Sequence, residues 1–381
     1  MKLLIHDLPE EAWERIKSDY AGDRIISEQG AIHPCIGCFS CWNKTPGQCV
    51  LRDGYENVGE LIHHASEIVV ISRYTYGGFS GFVKNVFDRC LGYVLPQFEV
   101  VDGETHHKKR YMEEKPFTFV FYGHELSPEE KECASRYVRA VCTNIRGYVK
   151  AIRFEEHDQQ LIKEKIVLAE HVSQTVLLNV SMRSETGNSA KLAVQLGNAL
   201  HQDYEIVELK KYLERIPELI SVLAGAKSVV LCTPLYVDGL PAQMIRFMEY
   251  AERYAGQLLG NIYLLANMGL YESRQLVSLF SAVKQWCQRA QLSYCGGLGV
   301  SAGELVGPLT EAVPFGFGPT KEIARGIKQL AEAIRENKEC EDLYSEPYRF
   351  PRALYIAIAN EGWNRAAKKN GLRRKDLFRR L

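Results

Sequence analysis

Four of the eleven cysteines fall within one short stretch, Cys35-Ile-Gly-Cys38-Phe-Ser-Cys41-Trp-Asn-Lys-Thr-Pro-Gly-Gln-Cys49. Thiolates at successive intervals of three residues can wrap one corner of a cubane. A fourth from farther along then closes the cage, which is how [4Fe–4S] clusters are usually held. Zinc sites more often use two separated C-x2-C knuckles, so the spacing favours iron–sulfur over zinc. Thiols around a tight turn that bind no metal are the third reading. Pro46-Gly47 supplies the turn that returns Cys49 to the other three.

A second stretch, Ser181-Met-Arg-Ser-Glu-Thr-Gly-Asn-Ser189, suits a different chemistry. Ser181, Ser184, Thr186 and Ser189 offer hydroxyls, Gly187 admits a close backbone approach, and Arg183 neutralises charge. Next to Asn188 at a helix start, this set fits a phosphate. The same composition also makes an ordinary N-cap. Near the start of the chain, Asp7-Leu-Pro-Glu-Glu11 holds the equivalent place, and its carboxylates complement a helix dipole and repel phosphate.

These stretches need a scaffold, and the hydrophobic pattern supplies it twice. Lys2–Asp7, Arg24–Ser27, Ser66–Ser72, Phe117–Tyr122 and Tyr148–Phe154 read as strands, with helical stretches between them. Thr175–Val180, Tyr204–Leu209, Lys227–Cys232, Asn261–Asn267 and Leu292–Gly299 repeat the order. Alternation of this kind gives parallel sheets with helices on both faces. The fold class is therefore α/β, an internal duplication of one five-stranded, doubly wound unit. The units span residues 1–157 and 174–338, and a basic, helical tail spans 339–381. His157–Gln174 reads as a charged helical connector. Pro96–Pro116, with its His106-His107-Lys108-Lys109-Arg110 run, reads as an exposed loop insertion.

Composition narrows the function classes. The chain has 381 residues and a formal net charge of zero, which gives no field for nucleic acid or an anionic membrane. No apolar run is long enough for a transmembrane segment, and the acid at Asp7 comes too early for a secretory signal. An odd, scattered set of cysteines does not make a secreted disulfide framework, so the reading is cytoplasmic.

With these residues in view, the chain resembles the NAD(P)H-dependent FMN reductase branch of the flavodoxin-like superfamily, and within it the iron–sulfur flavoproteins. Ser181–Ser189 resembles the family's phosphate loop, with Val180 and Met182 in place of the usual Gly and Pro. Thr233-Pro234-Leu235-Tyr236-Val237 resembles the turn along the isoalloxazine edge. Asn267-Met-Gly269-Leu-Tyr271 falls where a third flavin-contacting loop lies. In the first unit, Ser72–Gly81 with Lys84 and Asp88-Arg89 is similar to the ring-side turn, with Arg73 where Pro is common. The cysteine spacing is similar to the motif of the iron–sulfur branch.

The resemblance implies bound FMN, a [4Fe–4S] cluster on Cys35, Cys38, Cys41 and Cys49, and NAD(P)H or a ferredoxin-like redox partner protein as donor. It implies a small-molecule acceptor such as a quinone, and a tandem folded as an internal pseudo-dimer or joined into a homo-oligomer. Two other classes stand beside this reading. One is a flavin electron-transfer module that serves a partner enzyme, and the other a zinc-stabilised interaction protein. The tail, with eight basic residues between Arg365 and Arg380, reads as a solvated terminal helix or a contact for an acidic partner or membrane surface.

Overall fold

A computed structural model describes the chain apart from residues 29–31, 157–163, 166–173, 259, 306–312 and 381. The connector expected over His157–Gln174 lies outside the described residues except for Glu164, Lys165 and Gln174. The chain divides into two compact units: residues 1–160 with 356–381, and residues 161–355.

The first unit runs β1 (Leu3–His6), α1 (Glu10–Ile16), β2 (Arg24–Ser27), α2 (Ser40–Asn43), α3 (Val58–His64), β3 (Ile68–Arg73) and α4 (Gly81–Arg89). It continues with β4 (Val94–Val101), β5 (Glu104–Lys109), β6 (Pro116–Gly123), α5 (Pro128–Asn144) and β7 (Tyr148–Glu156). Its sheet is parallel with order β2-β1-β3-β6-β7. On one face Leu4, Val69, Ile71 and Val120 pack against Trp13, Ile16 and Tyr20. On the other, Phe79 stacks on Phe87 at 4.8 Å and meets Tyr137 edge-on at 5.1 Å. Helix α5 begins where its sequence says it should. Ser127 accepts from the Glu130 N–H while the Glu130 carboxylate accepts from the Ser127 N–H, with Pro128 at the first helical position.

The second unit runs β8 (Thr175–Asn179), α6 (Asn188–Leu200), β9 (Glu205–Glu208), α7 (Ile216–Ala224), β10 (Ser228–Pro234), α8 (Ala242–Ala251) and β11 (Asn261–Asn267). Then come α9 (Val277–Arg289), β12 (Ser293–Val300), α10 (Lys321–Glu336) and β13 (Leu343–Ser345). The sheet order is β13-β12-β11-β10-β8-β9, again parallel. Leu177, Leu192, Leu196, Val230, Leu265, Ile327 and Leu330 form part of its core. Strands buried on both faces read as near-continuous apolar runs, which is why these were visible in the sequence. Both units share the 2-1-3-4-5 strand order of the doubly wound, flavodoxin-like fold.

Two expectations need correction. Residues 96–116 are not an exposed loop: β4 and β5 form an antiparallel hairpin. Asp102 and Gly103 turn it at φ 51° and 84°, a two-residue turn that matches the twist of the strands. Its polar residues Gln97, Thr105, His106 and Arg110 are buried. The tail is not wholly helical either, because Leu343–Ser345 adds a sixth strand to the second sheet beside β12. Helix α11 (Arg352–Lys369) follows, and its residues from Ile356 belong to the first unit.

Candidate functional site

In an open parallel sheet the crevice lies beyond the carboxyl ends of the strands where the order reverses. In the second unit that point lies between β8 and β10. Asn179 pairs with Cys232 in register, and Pro234 with Asn267. The Asn179 carboxamide accepts from the Ser181 N–H at 3.1 Å, and the Ser181 hydroxyl accepts from the Arg183 N–H at 3.3 Å. Thr186 donates back to the Arg183 carbonyl at 2.8 Å. The loop thus curls under its own hydroxyls and delivers Gly187 to the N-cap of α6. No side chain caps that helix, and its first turn (Asn188, Ser189, Ala190) holds no acidic residue.

Gly187 is required for space rather than for backbone freedom, since its φ is −78°. A Cβ there would lie 2.6 Å from the Ser181 Oγ. Asn267 joins the three segments of the mouth. Its Nδ2 donates to Ser189 Oγ at 2.7 Å and to the Thr233 carbonyl at 3.2 Å. The β10–α8 turn closes with a reciprocal Tyr236–Gly239 bridge at 2.9 and 3.0 Å. Val237 and Asp238 hold φ 40° and 59°, and a β-branched residue in that region is strained.

Ser181, Ser189, Thr233 and Asn267 are therefore brought together, with Gly187, Pro234, Leu235 and Tyr236 on the same segments. Tyr271 is directed elsewhere: its hydroxyl donates to the Phe350 carbonyl at 2.7 Å. Gly269 is fixed through its carbonyl, which accepts from Tyr355.

The corresponding crevice of the first unit is closed from within. Asp7 is buried, and its carboxylate accepts from the Arg73 N–H at 3.0 and 3.2 Å. Burial pushes its pKa up to about 6, against the opposing hydrogen bonds from Ser80 and the Arg73 backbone. Tyr122 donates to the Asp7 carbonyl at 2.7 Å. Helix α1 starts after Pro9 with Glu10 and Glu11 in its first turn.

What the first unit has instead is the cysteine loop, seated on α4. Asn85 accepts from the Cys35 N–H at 3.2 Å and donates to the Ile32 and His33 carbonyls at 3.2 and 3.3 Å. Arg89 donates to the His33 carbonyl at 2.8 Å and grips both Asp53 oxygens at 2.8 and 2.9 Å. Burial alone would raise Asp53; Arg89 and the His33 and Tyr55 N–H groups hold it instead at about 2. The Gly47 N–H donates to the Cys41 carbonyl at 2.9 Å, which turns the chain at Pro46-Gly47 toward Cys49.

The four thiols lie close enough to act on one another. Cys35 is pushed up to about 12 by burial first, then by Asp88, with Cys49 and Cys38 adding to it. Cys41 is raised well above the thiol range by burial and by Cys35, Cys49 and Cys38, against the pull of Arg110. Among the described residues no group of three or more His, Cys, Asp or Glu is placed to hold a metal ion.

Residues that the sequence did not reveal as supports line this loop. Phe39, Trp42 and Trp363 form a triangle of rings with centroids 5.3 to 5.4 Å apart. Asn360 exchanges two hydrogen bonds with the Phe98 backbone, at 2.7 and 3.2 Å. The only signal available beforehand was the run of Lys84, Asn85, Asp88 and Arg89 on a helix with little room for a polar face.

The chain matches no family model and no curated protein. Solved structures resemble it distantly. An azoreductase from Bacillus anthracis str. Sterne is 15% identical, over 42% of this chain and 98% of its own, with a TM-score of 0.31. An NADH:FMN oxidoreductase in its apo form is 13% identical, over 48% and 99%, with a TM-score of 0.35. A metal-soaked flavodiiron core from Synechocystis sp. is 9% identical, over 94% and 87%, with a TM-score of 0.28. Likenesses this distant assign neither family nor activity.

Proposed function

We propose that the chain is a flavin-dependent oxidoreductase that passes electrons from NAD(P)H, or a ferredoxin-like donor, to a small acceptor such as a quinone. FMN sits in the second unit, and a [4Fe–4S] cluster sits on Cys35, Cys38, Cys41 and Cys49. The observation that carries this reading is the uncapped first turn of α6 at the strand-order reversal, behind a glycine that keeps the loop tight. FMN would supply the hydride and electron chemistry.

The chain's own residues bind and orient. The N–H groups of Asn188 and Ser189, the hydroxyls of Ser181 and Thr186, and Arg183 hold the phosphate end. Thr233, Pro234, Leu235, Tyr236 and Val237 flank the ring edge, with Asn267 and Gly269 opposite. Tyr271, tied to Phe350, positions that third loop rather than the ring. For the cluster, Asn85 and Arg89 hold the loop that carries the thiols, and Arg110 pulls Cys41 alone toward its ionised state, against the larger effect of burial.

Stopped-flow mixing with NADH and NADPH tests the reading. Prompt bleaching of the flavin absorbance is expected. A flavin that is bound yet untouched by both donors would reassign the chain as an electron carrier, and a colourless protein would overturn the reading.

A further inference from the structure

Two basic runs far apart in sequence meet in the first unit at one open cavity of about 450 Å³. Lys108, Lys109 and Arg110 come from β5 and its end, Arg146 from the end of α5, and Arg380 from the last residues of the chain. The end of the tail is strapped there, while its basic side chains stay exposed. The buried Arg110 guanidinium donates to the Leu377 and Arg379 carbonyls at 2.8 and 2.6 Å, and Arg380 donates to the Arg110 carbonyl at 3.0 Å.

The positive charge at this cavity is only partly offset. Glu99 is the carboxylate of the lining and pairs with Arg146 at 3.2 Å. Lys109 pairs with Glu114 at 2.7 Å. Arg110 has carbonyl acceptors for its hydrogen bonds, those already named and Gly92 at 2.6 Å. Arg146 Nε is buried and has no hydrogen-bond partner among the described residues.

Arg146 also sits at φ 60°, a left-handed conformation that disfavours a side chain. A cation at the end of α5 complements the helix dipole. That accounts for Arg146 alone, not for the convergence of Lys108 and Arg380 on the same concave surface. Met112 and Phe378 line the cavity too, and are 70% and 43% exposed. The volume lies within the roughly 300–1,000 Å³ of small-molecule sites.

We propose that this cavity binds a small organic anion carrying a phosphate or diphosphate group beside an apolar portion. Arg146 Nε, Lys108 and Arg380 meet the anionic group, in the charge-assisted geometry that guanidinium and phosphate share. Met112 and Phe378 meet the apolar portion. The concave shape selects a small molecule over the convex surface of an acidic protein. The proposal rests on neither the flavin nor the cluster reading.

The test is isothermal titration of the full-length protein with pyrophosphate and with ADP as probes. Saturable binding is expected. It should weaken at least about tenfold in the Lys108→Ala/Arg380→Ala double variant and in Arg146→Gly. Arg146→Gly relieves the left-handed backbone but removes the Glu99 ion pair, so its loss of binding counts only with an unchanged thermal midpoint. Phe378→Ser should weaken ADP and leave pyrophosphate unchanged. Lys368→Ala/Lys369→Ala removes exposed charge outside the cavity and should change neither. No saturable binding at millimolar probe, equal loss in the control variant, or binding indifferent to the cavity variants would overturn the proposal. Capture of an acidic protein in place of both probes would overturn it as well.

Discussion

The two crevices are built on the same strand order and furnished in opposite ways. In the first, strand register places Arg73 beside Tyr122, and in the second it places Pro234 beside Asn267. Arg73 brings an N–H that the Asp7 carboxylate accepts, and the Tyr122 hydroxyl donates to the Asp7 carbonyl. Pro234 has no N–H to give, and the residue in Asp7's place is the apolar Val180, whose own N–H joins the Cys232 carbonyl at 2.9 Å. Asn267 reaches across to Ser189 instead. Three differences at matched strand ends, Asp7 against Val180, Arg73 against Pro234 and Tyr122 against Asn267, thus separate the two crevices.

The helices that follow the matched turns diverge as well. The turn is the same in both units, with Thr75 bridged to Gly78 and Tyr236 to Gly239. After it, α4 is buried along its whole length, and Lys84, Asn85, Asp88 and Arg89 have buried partners or carry the cysteine loop. Helix α8 keeps Arg246 exposed. The first unit's helix is a platform, and the second unit's is an ordinary amphipathic cover.

The largest effect should come from breaking the platform. Arg89→Ala leaves Asp53 without its partner, both side chains being nearly inaccessible, and should cost about 3–5 kcal/mol in urea unfolding. Arg246→Ala on α8 should stay within about 0.5 kcal/mol. Comparable losses would mean that the two helices do not differ in role.

The plug makes the next prediction. With Asp7 titrating near 6 in the fold and near 4 when unfolded, the folded state holds the extra proton between those values. Stability should therefore fall as pH rises from about 4 to about 6 and stay lower above it. Asp7→Asn should remove that fall, gaining about 1–3 kcal/mol over the parent at pH 7 and little at pH 4, read from thermal midpoints. A gain independent of pH would assign the effect to something other than the buried carboxylate.

A smaller effect is expected at the open mouth. Val237→Gly relieves a β-branched residue at positive φ and should stabilise the fold by about 1 kcal/mol. Thr75→Gly, in the equivalent turn of the first unit, should give no such gain, because Thr75 lies outside the positive-φ pair Tyr76 and Gly77.

The sheets were legible because buried parallel strands are apolar nearly end to end, as in Ile68–Arg73 and Asn261–Asn267. The loop of cysteines and the hydroxyl-rich loop were legible because their residue types are local. The β4–β5 hairpin was hidden by its polar composition, even though Asp102-Gly103 marks such a turn. Its buried face is covered in part by Asn360 and Leu377, more than 260 residues along the chain. The role of α4 was hidden for the same reason: a helix looks amphipathic until the segment that buries its polar side is known. The acid at Asp7 was legible at the end of the first strand, but its capture of the Arg73 N–H depends on strand register, which no local pattern carries.

The most direct measurement is cofactor stoichiometry in anaerobically purified full-length protein and two variants. The parent should hold one equivalent of FMN with about four iron and four acid-labile sulfide. Gly187→Val, whose side chain would press on Ser181 Oγ, should lose the flavin and keep the iron. Cys38→Ala, at the exposed thiol of the loop, should lose the iron and keep the flavin. Two equivalents of FMN in the parent, or flavin and iron lost together in either variant, would contradict the division of the two sites between the two units.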